Sequence, residues 1–150
     1  MDARGRDARP MKTPRYSDVG HEPLSSDDKL LQRAELLLEH ALRRQIWLMF
    51  LDSDSRQLPV IMPTYVPERP GRREAEGFGR FLRELVDDFE AASVAITFER
   101  RGGDSYDDAD REWFRLIRDA CLSSDVALRG PMLCHDSGVR WVAPEDYAIG

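Results

Sequence analysis

Residues 93–118 read SVAITFERRGGDSYDDADREWFRLIR, and three physical patterns follow one another along them. Val94, Ala95, Ile96 and Phe98 suit a strand interior, where β-branched and aromatic side chains pack well. Gly102-Gly103 breaks that run, and Asp104, Asp107, Asp108 and Asp110 favour the start of a helix because negative charge opposes the positive end of its dipole. Trp113, Phe114, Leu116, Ile117 and Ala120 then supply side chains for burial over a helix at 106–122. Strand, crossing and helix in this order form the unit of an α/β fold, which binds ligands where the strand hands over to the helix. Capping alone accounts for the acids, with Asp104 or Ser105 as the cap and Asp107 and Asp108 in the first turn.

Upstream, Ser26-Asp27-Asp28 supplies an N-cap and an acidic first turn for a helix over 27–44, with Leu30, Leu31, Ala34, Leu37, Leu38 and Ala41 on one stripe. QIWLMFLDSDSRQLPVIMP, residues 45–63, holds two apolar runs around the turn-forming stretch 52–56 and predicts a β-hairpin. Pro63, Pro67 and Pro70 punctuate a loop, after which Phe78, Phe81, Leu82, Leu85, Val86 and Phe89 predict an amphipathic helix over 74–91. Downstream, Asp136-Ser137-Gly138 separates two apolar runs and predicts a closing hairpin. The expected fold is α/β (α+β): a mixed, curved sheet flanked by helices, in the order α-β-β-α-β-α-β-β.

The length of 150 residues suits one domain with a sizeable core. Residues 1–26 carry hardly any aliphatic side chains and are expected to form a disordered N-terminal arm, leaving 27–150 as a single α/β domain. A net charge of -6 argues against coating nucleic acid or anionic membrane through bulk electrostatics. Only Lys12 and Lys29 among the bases are lysines, a bias that a GC-rich genome produces. Cys121 and Cys134 form no C-x-x-C pair and are expected to be two buried thiols. With no apolar stretch of roughly 18 or more residues and no signal-peptide core, a soluble, cytoplasmic protein is expected.

Several groups invite a chemical reading. Asp52-Ser53-Asp54 has the form of a metal clamp but lacks further partners and fits a hairpin tip; His40 has no second ligand at helical spacing. Cys134 and His135 are adjacent on a strand and point to opposite faces, so a buried cysteine beside an exposed histidine is expected in place of a nucleophilic pair. Around the crossing, Glu99, Asp104 and Asp110 could offer oxygen ligands to a hard cation, with Arg100 and Arg101 placed against it. Those two arginines beside Gly102-Gly103 could also receive an anion, although the helix start is filled with carboxylates. Arg69, Arg72 and Arg73 make the proline loop locally basic.

The element order, the hairpin ending LDSDSRQLP and the glycine-aspartate frame of the crossing resemble the RadC-like branch of the JAB/MPN metalloprotease-like fold, over about residues 45–147. In that family the central strand runs into His-x-His-Pro-Ser-Gly and a Ser-x-x-Asp follows on the next helix, the histidines and aspartate binding zinc. Set on that pattern, Phe98 and Arg100 fall at the histidine positions with Glu99 between them. Asp110 falls at the metal-binding aspartate if one residue is missing from the loop, and Asp107 falls near the serine. Phenylalanine cannot coordinate zinc and an always-charged arginine opposes a cation. The resemblance therefore implies the fold without the hydrolase chemistry, and no cofactor or metal.

The function expected on this basis is a non-catalytic, metal-free domain that acts through protein-protein contacts, using Glu99 to Asp110 and the proline loop. One alternative is a divergent divalent-metal hydrolase or nuclease using Glu99, Asp104 and Asp110. Another is a nucleic-acid accessory protein binding through Arg69, Arg72, Arg73, Arg100 and Arg101. The protein partner is not identified by the sequence, and exposed strand edges leave a homodimer open.

Overall fold

The computed structural model describes residues 22–147, folded as a five-stranded mixed sheet with three helices. The elements in chain order are α1 (Asp27–Leu38), β1 (Gln45–Leu51), β2 (Gln57–Tyr65), α2 (Arg72–Phe89), β3 (Ser93–Glu99), α3 (Asp108–Ser123), β4 (Leu128–His135), β5 (Gly138–Trp141) and a 3-10 turn (Pro144–Asp146). That order is the expected one. Strands lie in the order β2-β1-β3-β4-β5, and among neighbours only β3 and β4 run parallel, joined by α3; α2 likewise carries the chain from β2 to β3, which point the same way on either side of β1.

Alternation along the strands divides the core in two. Ile46, Leu48 and Phe50 of β1, with Val94, Ile96 and Phe98 of β3, pack against α2 and α3. Trp47, Met49, Leu51 and Ala95 point the other way, towards α1. Helices α2 and α3 approach closely at Gly79, where a Cβ would stand 3.0 Å from the Ala120 carbonyl oxygen. No helix among the described residues is long and apolar enough to cross a membrane.

Four boundaries differ from the sequence expectation. The arm expected over 1–26 falls mainly outside the described residues, but its last part belongs to the core. Leu24 is 1% exposed, and its amide donates to the Ser55 carbonyl at 2.8 Å while Arg129 donates to its own carbonyl at 3.1 Å. Helix α1 stops at Leu38, not at residue 44, because Glu39 turns to φ 62° and frees the following segment to meet β3. Helix α2 begins and ends two residues earlier than 74–91, at Arg72 and Phe89, its start fixed by the Glu74 side chain accepting from the Gly71 amide. Helix α3 starts at Asp108, since Asp107 takes the capping position expected of Asp104 or Ser105.

Candidate functional site at the strand-to-helix crossing

The ends of β3 and β4 and the start of β5 meet at one end of the sheet, where Glu99 pairs with Cys134 and His135 with Gly138. The crossing from β3 to α3 lies there, as the sequence suggests. Its two central side chains, Glu99 and Arg100, are both buried, and each is bound within its own side of the sheet.

Glu99 extends the register of Ala95 towards the α1 face and is fully buried. One carboxylate oxygen accepts from the amides of Leu42 at 2.5 Å and Arg43 at 3.1 Å. The other accepts from Gln45 Nε2 at 2.8 Å and Trp47 Nε1 at 2.7 Å. Four donors from the segment between α1 and β1 and from β1 itself thus converge on one carboxylate. A buried charge is tolerated only with such saturation. The early end of α1 is explained by the same contact, since a helix continued to residue 44 would keep the Leu42 and Arg43 amides within its own hydrogen bonds.

Arg100 projects to the opposite face, towards α3. Its Nη2 lies 2.8 Å from Asp110 Oδ2 and its Nε 3.1 Å from Asp110 Oδ1, a two-armed pair with side chains 7% and 1% exposed. The guanidinium also donates to the carbonyls of Gly103 at 2.5 Å and Ser105 at 2.7 Å, which folds the glycine crossing around it. Burial works against the Arg100 charge, but Asp110, with Asp107 and Asp136 behind it, outweighs that and raises its pKa further. Asp110 is simultaneously the third residue of α3 in a capping box: its Oδ2 accepts from the Asp107 amide at 3.0 Å, and Asp107 Oδ1 accepts from the Asp110 amide at 2.7 Å.

The remaining candidates lie at the rim. Arg101 is exposed and pairs at 2.7 Å with Asp136, whose pKa is lowered by that bond and by the Gly102 backbone. The Asp104 side chain is exposed, and its carbonyl accepts from Arg140 at 3.0 Å. Arg140 also lies 4.8 Å over the ring of Tyr106, whose hydroxyl is buried. Arg69 pairs with Glu112 and Arg72 with Glu76, whereas Arg73 is exposed and makes no ion pair among the described residues. Glu99 and Asp110 are therefore on opposite faces of the sheet, and no group of three or more His, Cys, Asp or Glu that could hold a metal occurs among the described residues. Of the five arginines considered for phosphate contacts, all but Arg73 face a carboxylate.

His135 departs from the expectation of exposure, with 9% of its surface accessible. It shares the face of Leu133, its Nδ1 accepts from the Ser137 amide at 3.3 Å, and its carbonyl accepts from the Ala41 amide at 2.8 Å. Burial lowers its pKa, with nearby Asp104 and Asp136 opposing and Arg100 and Arg140 assisting. Cys121 and Cys134 are buried thiols, as expected. His40 is exposed.

An opening of about 400 Å³ lies between the end of β2 and α2 and is lined by Tyr65, Val66, Phe78, Phe81 and Trp113. It runs into the proline loop, which Trp113 holds by donating from Nε1 to the carbonyls of Pro67 and Glu68 at 3.2 and 3.1 Å. Phe78 and Trp113 are core residues, as the sequence suggests, and Phe81 packs on them partly buried, whereas Tyr65 beside the proline loop is 68% exposed. No protein-family model matches the chain, and no curated protein matches it.

Proposed function

We propose that the chain is a divergent, non-catalytic JAB/RadC-like domain that works through protein contacts. The observation that carries this is the Arg100–Asp110 pair. On the family pattern Asp110 stands at the metal-binding aspartate and Arg100 at a histidine. In this chain the positive charge facing the aspartate belongs to the side chain of Arg100, just past β3, in a hydrogen-bonded geometry that satisfies both groups. Phe98, at the other histidine position, is a core residue stacked on Trp113 with ring centroids 6.1 Å apart. Glu99 is occupied by four donors on the far face and has no capacity left to hold a water or a substrate proton.

A domain whose strand-end acids are internalised keeps its surface features elsewhere. The proline loop and the apolar opening beside it offer an exposed tyrosine and four further apolar residues in one place. A contact surface needs such an aromatic centre with a polar rim. The discriminating experiment is elemental analysis of protein purified without chelator. A non-catalytic, metal-free domain contains zinc well below one equivalent per chain, and one tightly held zinc per chain would refute it.

A further inference from the structure

We infer that the opening between β2 and α2 is a docking groove for an extended acidic segment of a partner protein, anchored by a bulky apolar side chain seated against Gly77. This rests on the protein-contact function proposed above and names the partner's chemistry. Three observations support it independently.

The first is Gly77 itself. A glycine inside a helix destabilises it relative to alanine, so it needs a local reason. Two turns of α2 contain two glycines, and Gly79 has such a reason in its close approach to Ala120. Gly77 has none: a Cβ built there meets nothing within 4 Å, and the residue lines the groove. The missing side chain leaves room for something that approaches the helix backbone from outside.

The second is charge. Two charged residues line the groove, Arg73 and Glu74. Glu74 is committed to the Gly71 amide, its Oε1 accepting at 2.7 Å as part of the α2 cap. Arg73 has no ion pair among the described residues, and Arg43 reaches the mouth from the other side, donating to the Tyr65 hydroxyl at 3.4 Å. Glu74 keeps its negative charge, so the two arginines leave the mouth with one net positive charge, in a chain whose net charge is -6. An acidic residue beside the apolar anchor complements it.

The third is shape. On the same strand and helix Leu58, Val60, Met62, Leu85 and Phe89 are only partly buried against the core, so apolar surface extends along both elements beyond the groove, which suits a chain more than a compact molecule. Strand addition is disfavoured there. β2 is an edge strand, but Pro59 sits within its register shift and Pro63 opposite Trp47, and neither can donate a backbone hydrogen bond. Recognition must therefore come from side chains entering the groove.

The test is to pan a phage-displayed library of random 12-residue peptides against the full chain and measure the enriched peptides by fluorescence anisotropy. The expected consensus has one aromatic or long aliphatic residue within a few positions of Asp or Glu. Binding is expected to weaken at least tenfold with Arg73→Glu, which reverses the rim charge, and with Gly77→Trp, which fills the seat. Arg73→Glu places an acid in the first turn of α2, where it suits the helix dipole, so the fold is retained and the loss is attributable to the groove. Enriched peptides insensitive to both substitutions would overturn the groove while leaving a protein-contact role intact. A basic or neutral consensus that still depends on Gly77 would overturn the partner chemistry. No enrichment, or self-association abolished by Gly77→Trp, would equally overturn the inference.

Discussion

Replacing Glu99 by glutamine separates a structural carboxylate from a catalytic one. The side chain keeps its size, but all four of the hydrogen bonds described for its carboxylate come from donors. Glutamine retains one oxygen, which serves one pair, and turns an NH2 group towards the other pair. Gln45 can reverse its amide to accept, which leaves about one donor stranded, together with the weakening of bonds that had a charged acceptor. A stranded buried donor costs about 1–3 kcal/mol and a bond to a charged group about 1.5–3 kcal/mol. A loss of roughly 2 kcal/mol is therefore expected for Glu99→Gln, a large part of the 5–15 kcal/mol typical of a whole domain. Urea unfolding followed by tryptophan fluorescence reads it directly, since Trp47 is one of the donors. With a slope of about 2 kcal/mol per molar urea, the midpoint falls by about 1 M. A midpoint that stays within about 0.2 M, or rises, would refute the assignment, because a group kept at a stability cost for function is stabilised by its removal.

Three further outcomes follow from the geometry. Asp110→Ala leaves Arg100 buried and unpaired and removes half of a capping box, so it is expected to destabilise by about 3–5 kcal/mol, with the Arg100→Ala/Asp110→Ala double mutant losing clearly less than the sum of the singles in a denaturation cycle. Burial pushes the Cys121 thiol up to about 12, and Cys134 is also buried, so a thiol-specific chromogenic reagent is expected to label neither cysteine in native protein and both in urea. Burial holds the His135 pKa below its ordinary 6.5, so the unfolded chain binds the proton more readily. Stability is then fully present above 6.5 and declines as pH falls towards the folded-state pKa. Melting curves between pH 5 and 8 should show this decline weakened in His135→Gln.

The order of elements was legible because each segment declares itself locally. Ser26 caps α1 as its position before two acids suggests, accepting from the Lys29 amide at 3.1 Å. Asp52 closes the first hairpin by accepting from the amides of Asp54 and Arg56, both at 2.9 Å. What escaped the sequence is long-range. Helical periodicity carries α1 through Ala41, and nothing between residues 39 and 44 announces that two of its amides will be claimed by a carboxylate 56 and 57 positions away. Leu24 looks like one of very few aliphatics in a polar arm until Ser55 and Arg129 are brought beside it. His135 was misplaced for a related reason: alternation puts it opposite Cys134 correctly, but alternation says nothing about whether the crossing loop lies over that face.

The same distinction between local pattern and folded partner decides how the crossing is understood. Read along the chain, Glu99, Arg100, Asp104 and Asp110 are four charges within twelve residues, a density that suggests a site. In the fold, strand alternation sends Glu99 and Arg100 to opposite faces, and each meets a complementary set that exhausts it. The opposite charges of Glu99 and Arg100 attract one another through the sheet, but pointing to opposite faces they cannot hydrogen-bond each other, so each must be satisfied on its own side. The α1–β1 segment does this for Glu99 with neutral donors, and α3 does it for Arg100 with a full negative charge. The charge density of the sequence thus holds two layers of the protein to the end of one strand, and the partner surface we propose lies instead at the proline loop. There the side chains are mostly apolar, one arginine is uncommitted, and a helix glycine leaves a seat empty.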